Sequence, residues 1–192
     1  MRISYCTTCH QRAWQLAQTL PHNVKYLVKN DIEMVIVAYN DNSVLPFIQN
    51  NYADYLGDGR IRVIECNEDK IFADGSRWSC GYVKDIAHSQ AVGDVLFSLD
   101  ADNFIDSELH QTLLTLPANT LLITKQSEWL PDGRSGRIGL NKSDYSNIRY
   151  RDKGRNDDGD FIHQAISARL QVKQIPCKYK PIANKACLLY TS

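Results

Sequence analysis

The chain has no apolar run approaching the roughly 20 residues a membrane-spanning helix needs, and its opening Met1-Arg2-Ile3-Ser4-Tyr5-Cys6 lacks the apolar core of a signal peptide. A cytoplasmic protein with no transmembrane segment is the expectation. Net charge is also missing, because 22 basic and 22 acidic residues cancel, so no broad basic field exists to hold nucleic acid or an anionic membrane. A small, locally recognised ligand fits better. Cysteine is sparse, six in 192 residues, which excludes a disulfide scaffold and leaves thiols in a reducing compartment. Internal repeats and low-complexity tracts are absent. A chain of this length is expected to form a single domain, 1–192, that buries most of the surface its unfolded form exposes.

What is present is an alternation of strand and helix signals. Arg2 to Cys6 reads as a strand, and Ala13, Trp14, Leu16, Ala17 and Leu20 recur at helical spacing up to Pro21. Met34 to Ala38 is a second strand, followed by Val44, Ile48, Tyr52 and Tyr55 on one helical face, with Ser43 as N-cap and Gly57-Asp58-Gly59 as the stop. Ile61 to Ile64 is a third strand. After a loop from Glu65 to Ser79, Val83, Ile86, Ala87, Gln90 and Ala91 form a helical face ended by Gly93. This order predicts an α/β fold with a mainly parallel sheet whose strand carboxyl ends open on one side. Beyond it, Asp106 is placed to cap a helix through Leu109, Leu113 and Leu116, and Thr120 to Thr124 is rich in β-formers. Trp129 to Gly139 is punctuated by glycine and proline and is expected to be a long mobile loop, a candidate lid. Phe161, Ile162, Ala165, Ile166 and Leu170 then resume helical spacing.

Asp94 to Ile105 is the most informative stretch. The apolar run Val95 to Leu99 delivers Asp100 and Asp102 at its end, and side chains two apart on a strand share a side. Ligands of open α/β sheets bind at strand carboxyl ends, and carboxylate oxygens there suit Mg2+ or Mn2+. Asp41, after the second strand, converges on the same edge. Cys6-Thr7-Thr8-Cys9 follows a strand and precedes a helix, as a thioredoxin-like redox motif would; the plainer reading is buried small residues. Cys66, Cys80, Cys177 and Cys187 are too scattered for zinc.

Lys84-Asp85-Ile86-Ala87, then Gln90-Ala91-Val92-Gly93-Asp94, the apolar strand, and Asp100-Ala101-Asp102-Asn103 together resemble glycosyltransferase family 2, whose members have the GT-A fold, a Rossmann-like, mainly parallel sheet flanked by helices. The resemblance spans residues 2–106 and includes Thr8 four residues before Arg12. Asp85 stands where the family usually has Asn, and most members have more chain for the acceptor. The resemblance implies a nucleotide-sugar-binding half, 1–106, and an acceptor-binding half, 107–192. It implies Mn2+ or Mg2+ on Asp102, with Asp100 as a ribose or metal-shell contact beside Ala101. Asp41 would read the nucleoside, Thr7 or Thr8 and Arg12 would line its pocket, and Lys84 or Arg77 would neutralise the diphosphate. The partners implied are a nucleotide-sugar donor, with a UDP-sugar preferred, and a glycan or other hydroxyl acceptor.

Residues 154–161, which include Asp157 and Asp158, resemble the acidic segment that opens a helix in inverting members and supplies the general base. Asp158 is the candidate base and Asp157 would position the acceptor; capping of a helix N-terminus is the competing role for both. An EF-hand is excluded, because with Gly159 at its sixth position Ala165 falls where the bidentate Glu belongs. His163 is a candidate metal ligand, and Trp78 and Trp129 are candidates for stacking on a sugar or base, Trp129 at the acceptor. Nucleotidyl transfer is a rival activity, although it would normally show a glycine-rich loop after the first strand, where Cys6 to His10 has no glycine. A non-catalytic nucleotide-sugar-binding protein is another.

Overall fold

Every side chain of β1 (Ile3–Cys9) and β2 (Ile32–Tyr39) is buried, as strands covered on both faces must be. The computed structural model describes residues 1–125, 134–153 and 156–183. Around the two central strands lie α1 (Ala13–Asn23), α2 (Val44–Asn51), α3 (Ala53–Gly57), β3 (Ile61–Cys66), α4 (Cys80–Gln90) and β4 (Val95–Ser98). The chain continues through α5 (Ser107–Leu114), β5 (Thr120–Lys125), β6 (Arg134–Asn141), α6 (Lys142–Tyr145), α7 (Asp157–Ser167) and β7 (Gln171–Pro176). The strands form one seven-stranded sheet in the order β3-β2-β1-β4-β6-β5-β7. β6 is antiparallel to both its neighbours, and all other pairings are parallel. The carboxyl ends of six strands therefore open on one edge.

Two apolar layers fix the sheet between helices. Ile3, Tyr5, Ile36 and Phe97 pack with Leu16 and Leu20 of α1, Val44 and Ile48 of α2, and Leu109 and Leu113 of α5. On the other face Val35, Val37, Leu96 and Ile138 pack with Val83 and Ala87 of α4 and Phe161 and Ala165 of α7. Asp106 caps α5 as expected, its Oδ1 accepting from the Leu109 amide at 2.8 Å.

Several expectations need correction. The second half of the proposed loop, Arg134 to Gly139, is strand β6 in mid-sheet; Trp129 lies outside the described residues. Its glycine serves packing, since a Cβ on Gly139 would lie 2.9 Å from Phe97 Cδ2 and 3.1 Å from Leu113 Cδ2. Pro21 does not end α1, which runs on to Asn23. Ser43 makes no side-chain cap; Asp41 accepts from its amide and hydroxyl instead. Cys6-Thr7-Thr8-Cys9 lies within β1, before the helix begins at Ala13. Burial pushes both thiols up, Cys9 to about 12 with Asp41 adding to the effect, so neither offers the reactive thiolate a redox motif requires.

Gly81 lets α4 approach the α7 side of the site. A Cβ there would sit 1.9 Å from the Arg151 carbonyl oxygen and 2.9 Å from Asp157 Cβ. Gly81→Ala should therefore cost about 1–3 kcal/mol, the range for overpacking, and lower the urea midpoint; an unchanged midpoint would show that the loop yields freely.

Candidate active site

The site grows from the carboxyl ends of β1 and β4. Beyond Ser98 the chain leaves the sheet, and Asp100 to Asn103 forms a turn closed by the Asn103 amide donating to the Asp100 carbonyl at 2.9 Å. Asp100 and Asp102 are thus presented by a turn rather than by strand alternation. Helix α1 braces this turn. Thr19 Oγ1 donates to the Ala101 carbonyl at 2.8 Å, and Asn23 Nδ2 to the Asn103 carbonyl at 3.0 Å. Asn23 Oδ1 also accepts from the Ile105 amide. From outside, the Ile182 amide donates to the Asp102 carbonyl, while Gln15 Nε2 holds the Ile182 carbonyl. Gln15, Thr19 and Asn23 are buried polar residues within the amphipathic α1; that interruption of an apolar face was the sequence signal for a bracing role.

A cleft of about 180 Å³ opens beside the turn, lined by Thr8, His10, Arg12, Trp78, Cys80, Asp100 and Ala101. Strand alternation admits Thr8 and turns Thr7 away, leaving it buried at 1% exposure. Arg12 stands at the N-terminus of α1. His10, which the sequence reading passed over, stacks on Trp78 at 4.9 Å and 9° between rings, with its Nδ1 against the Tyr39 carbonyl at 2.8 Å. A carbonyl only accepts, so Nδ1 carries the proton. Arg77 is turned outward and pairs with Asp69, both exposed.

Asp41 lies nearby with its carboxylate engaged: Oδ1 accepts from Ser43 and Oδ2 from Cys9 Sγ at 3.9 Å. Asp85, at the position where Asn was expected, holds Tyr145 and Arg149 through bonds of 2.6–2.9 Å and serves the packing of α4 on the later chain.

Helix α7 brings its acidic first turn against α4. Lys84, with 2% of its side chain exposed, places Nζ 2.6 Å from Asp158 Oδ1 and 3.3 Å from Asp157 Oδ2. Burial opposes its charge, yet Cys80, Asp100 and Asp158 outweigh that and hold the Lys84 pKa well above its usual value. Burial pushes the Asp158 carboxyl up to about 6, with Lys84 opposing and Asp157 and Asp100 adding to the rise. Asp100 is raised by burial and by Asp102 and Asp157, against Lys84 and Arg12. Asp102 is raised by burial against Arg12. His163 is exposed on α7, away from the inward Phe161 and Ala165. Among the described residues, no group of three or more His, Cys, Asp or Glu side chains is arranged to hold a metal, so His163 does not join Asp100 and Asp102 in a shell. Two adjacent carboxylates, both held above their usual range, still suit a cation that takes one or two carboxylates and completes its shell with phosphate oxygens and water.

Among solved structures, the mannosyltransferase PcManGT from Pyrobaculum calidifontis, determined with GDP-Man and Mn2+, superposes with a TM-score of 0.73 at 12% identity, over 98% of this chain and 59% of that one. Glucosyl-3-phosphoglycerate synthase from Mycobacterium tuberculosis, determined with Mn2+, UDP and phosphoglyceric acid, gives 0.65 at 13% identity, over 98% and 73%. This chain has the GT-A fold. A nucleotidyl transferase from Methanothermobacter thermautotroptrophicus gives 0.60 at 12% identity, over 98% of this chain and 95% of that one. The GT-A domain seen here thus spans 59% of the length of the mannosyltransferase. No family model and no curated protein matches the sequence. No helix among the described residues is long and apolar enough to cross a membrane.

Proposed function

We propose that the chain is a metal-dependent glycosyltransferase that moves a sugar from a nucleotide-sugar, a UDP-sugar being the first to test, to an acceptor hydroxyl with inversion. The observation that carries this reading is the convergence of three carboxylates from two elements at the sheet's carboxyl edge: Asp100 in the cleft wall, Asp102 on the same braced turn, and Asp158 on α7, whose charge is felt at Asp100. Asp102, with Asp100, would hold Mg2+ or Mn2+, which supplies Lewis-acid stabilisation to the departing diphosphate. Thr8, Arg12 and the His10–Trp78 wall would receive the nucleotide. Asp158 would take the acceptor hydroxyl's proton as its oxygen attacks the anomeric carbon and the bond to the phosphate oxygen breaks. Asp157 would position the acceptor and Asp41 the nucleoside. The nucleotidyl transferase neighbour, matched over nearly its whole length, favours nucleotidyl transfer as the second reading.

The test is calorimetric titration of UDP, GDP and ADP, and of the corresponding triphosphates, with Mn2+ and then with EDTA. The expected result is tight binding of one diphosphate only with metal. Preference for a triphosphate would favour nucleotidyl transfer, and binding unaffected by EDTA would remove the metal from the scheme.

A further inference from the structure

We propose that Lys84 is a positioning residue that ties the candidate base Asp158 on α7 to helix α4, and that it does not contact the donor diphosphate. This rests on the transferase reading above and deepens it. The ammonium group is enclosed by the acidic first turn of α7 and by an aromatic ring from the preceding loop. Two carboxylates of α7 lie 2.6 and 3.3 Å away, and the Tyr150 ring lies 5.2 Å beneath Nζ. With 2% of the side chain exposed, Lys84 would have to abandon both carboxylates to reach a phosphate in the cleft. Breaking such a buried pair leaves uncompensated charge in the interior, and a diphosphate that a cation and Arg12 would already neutralise offers little to offset that. Lys84 lies outside the cleft wall, whereas Cys80, one helical turn earlier on α4, lines it.

The arrangement gives Lys84 a specific task. Asp157 and Asp158 are adjacent carboxylates whose mutual repulsion would splay the first turn of α7. One shared ammonium holds both and aims the less buried one, Asp158 with 30% of its side chain exposed, outward. The α4 helix that carries Lys84 also carries Cys80 in the cleft wall, so the base is registered to the donor site through a rigid element. Gly81, by admitting Asp157 and Arg151 closely, makes that approach geometrically available.

The test uses Lys84→Met, which removes the charge, and Lys84→Gln, which keeps a hydrogen-bond donor to Asp158 and guards against a variant that fails to fold. Two quantities are compared with the unmodified chain: binding of UDP and GDP in Mn2+, and release of nucleoside diphosphate from UDP-glucose and GDP-mannose with water as acceptor. In that hydrolysis the water oxygen bonds to the anomeric carbon, the carbon–phosphate-oxygen bond breaks with its electron pair leaving on the diphosphate, and the water proton passes to Asp158. Diphosphate binding should change by less than about threefold while hydrolysis falls at least about 100-fold, the scale of a misplaced base. The groups facing Asp158 are Lys84 and Cys80 from α4, Asp100 from the turn, Asp157 from its own helix and Tyr150. Without Lys84 the acid limb of the hydrolysis profile should move to higher pH. Binding that falls in step with hydrolysis would make Lys84 a diphosphate contact and overturn the proposal, as would hydrolysis and an acid limb unchanged in both variants. Failure of the unmodified chain itself to bind either diphosphate with Mn2+ would instead overturn the transferase reading.

Discussion

Asp158→Asn should leave metal-dependent nucleoside diphosphate binding intact and lower sugar transfer, or hydrolysis of the nucleotide-sugar to water, by about 10³-fold, within the 10²–10⁴ range for removal of a general base. The substitution is close to isosteric, and the amide oxygen can still accept from Lys84 Nζ, which lies 2.6 Å from the native carboxylate. What is lost is the ability to take a proton. Burial, helped by Asp157 and Asp100 against Lys84, holds this carboxyl at about 6, so its basic form grows as pH rises through that value. Activity of the native chain should therefore climb with pH, pass its half-maximum near 6 and level above that, and in Asp158→Asn that limb should vanish. Retention of full transfer would move the base elsewhere. Asp157, pinned in the same ion pair but less exposed, would be the next residue to replace.

The strands and the acidic turn of the first half were more legible in the sequence than the chain beyond α5, and the reason is physical. β2 and β4 are buried on both faces, so Met34 to Ala38 and Val95 to Leu99 read as largely apolar runs, and the acidic turn follows directly from the end of the second. β6 escaped because its signal is glycine: Gly139 is required by Phe97 and Leu113 pressing on the backbone, and glycine in a strand looks like a loop. Arg77 and Trp78 were both candidates, one for its charge and one for its flat ring, and loop geometry sends Arg77 to Asp69 in solvent and Trp78 to the cleft. His10 carries no periodicity to betray it, and its stacking on Trp78 joins segments 68 residues apart in sequence, a pairing only tertiary structure creates. Lys84 was visible as a charge near the right helix, but its partners come from α7, and nothing local distinguishes a buried lysine from a solvated one. His163 shows the opposite failure, a metal-ligating residue type at an attractive spacing that the turn of the helix points outward.

Asp102→Ala should abolish the stabilisation that Mn2+ and a nucleoside diphosphate confer together, and reduce their joint affinity by at least about 100-fold, without harming the fold. The turn that carries Asp102 is held through main-chain groups, by Thr19, Asn23 and Ile182, and these contacts survive the substitution. The carboxylate itself accepts from Asn103 Nδ2, a single partly exposed bond. Losing it costs on the order of 1 kcal/mol, while removing a carboxylate whose charge burial disfavours, and which raises its neighbour Asp100, returns a comparable amount. The melting temperature without ligand should consequently stay within a few degrees of the native value. In the native chain, a diphosphate at 100 times its dissociation constant with metal present should stabilise by about 2.7 kcal/mol; the variant should show almost none of this. Asp100→Ala should be the milder change for binding if Asp102 is the principal ligand, because the nearby Lys84 charge already offsets that of Asp100. A reversed order of the two losses would exchange their roles while leaving the cation on the same turn.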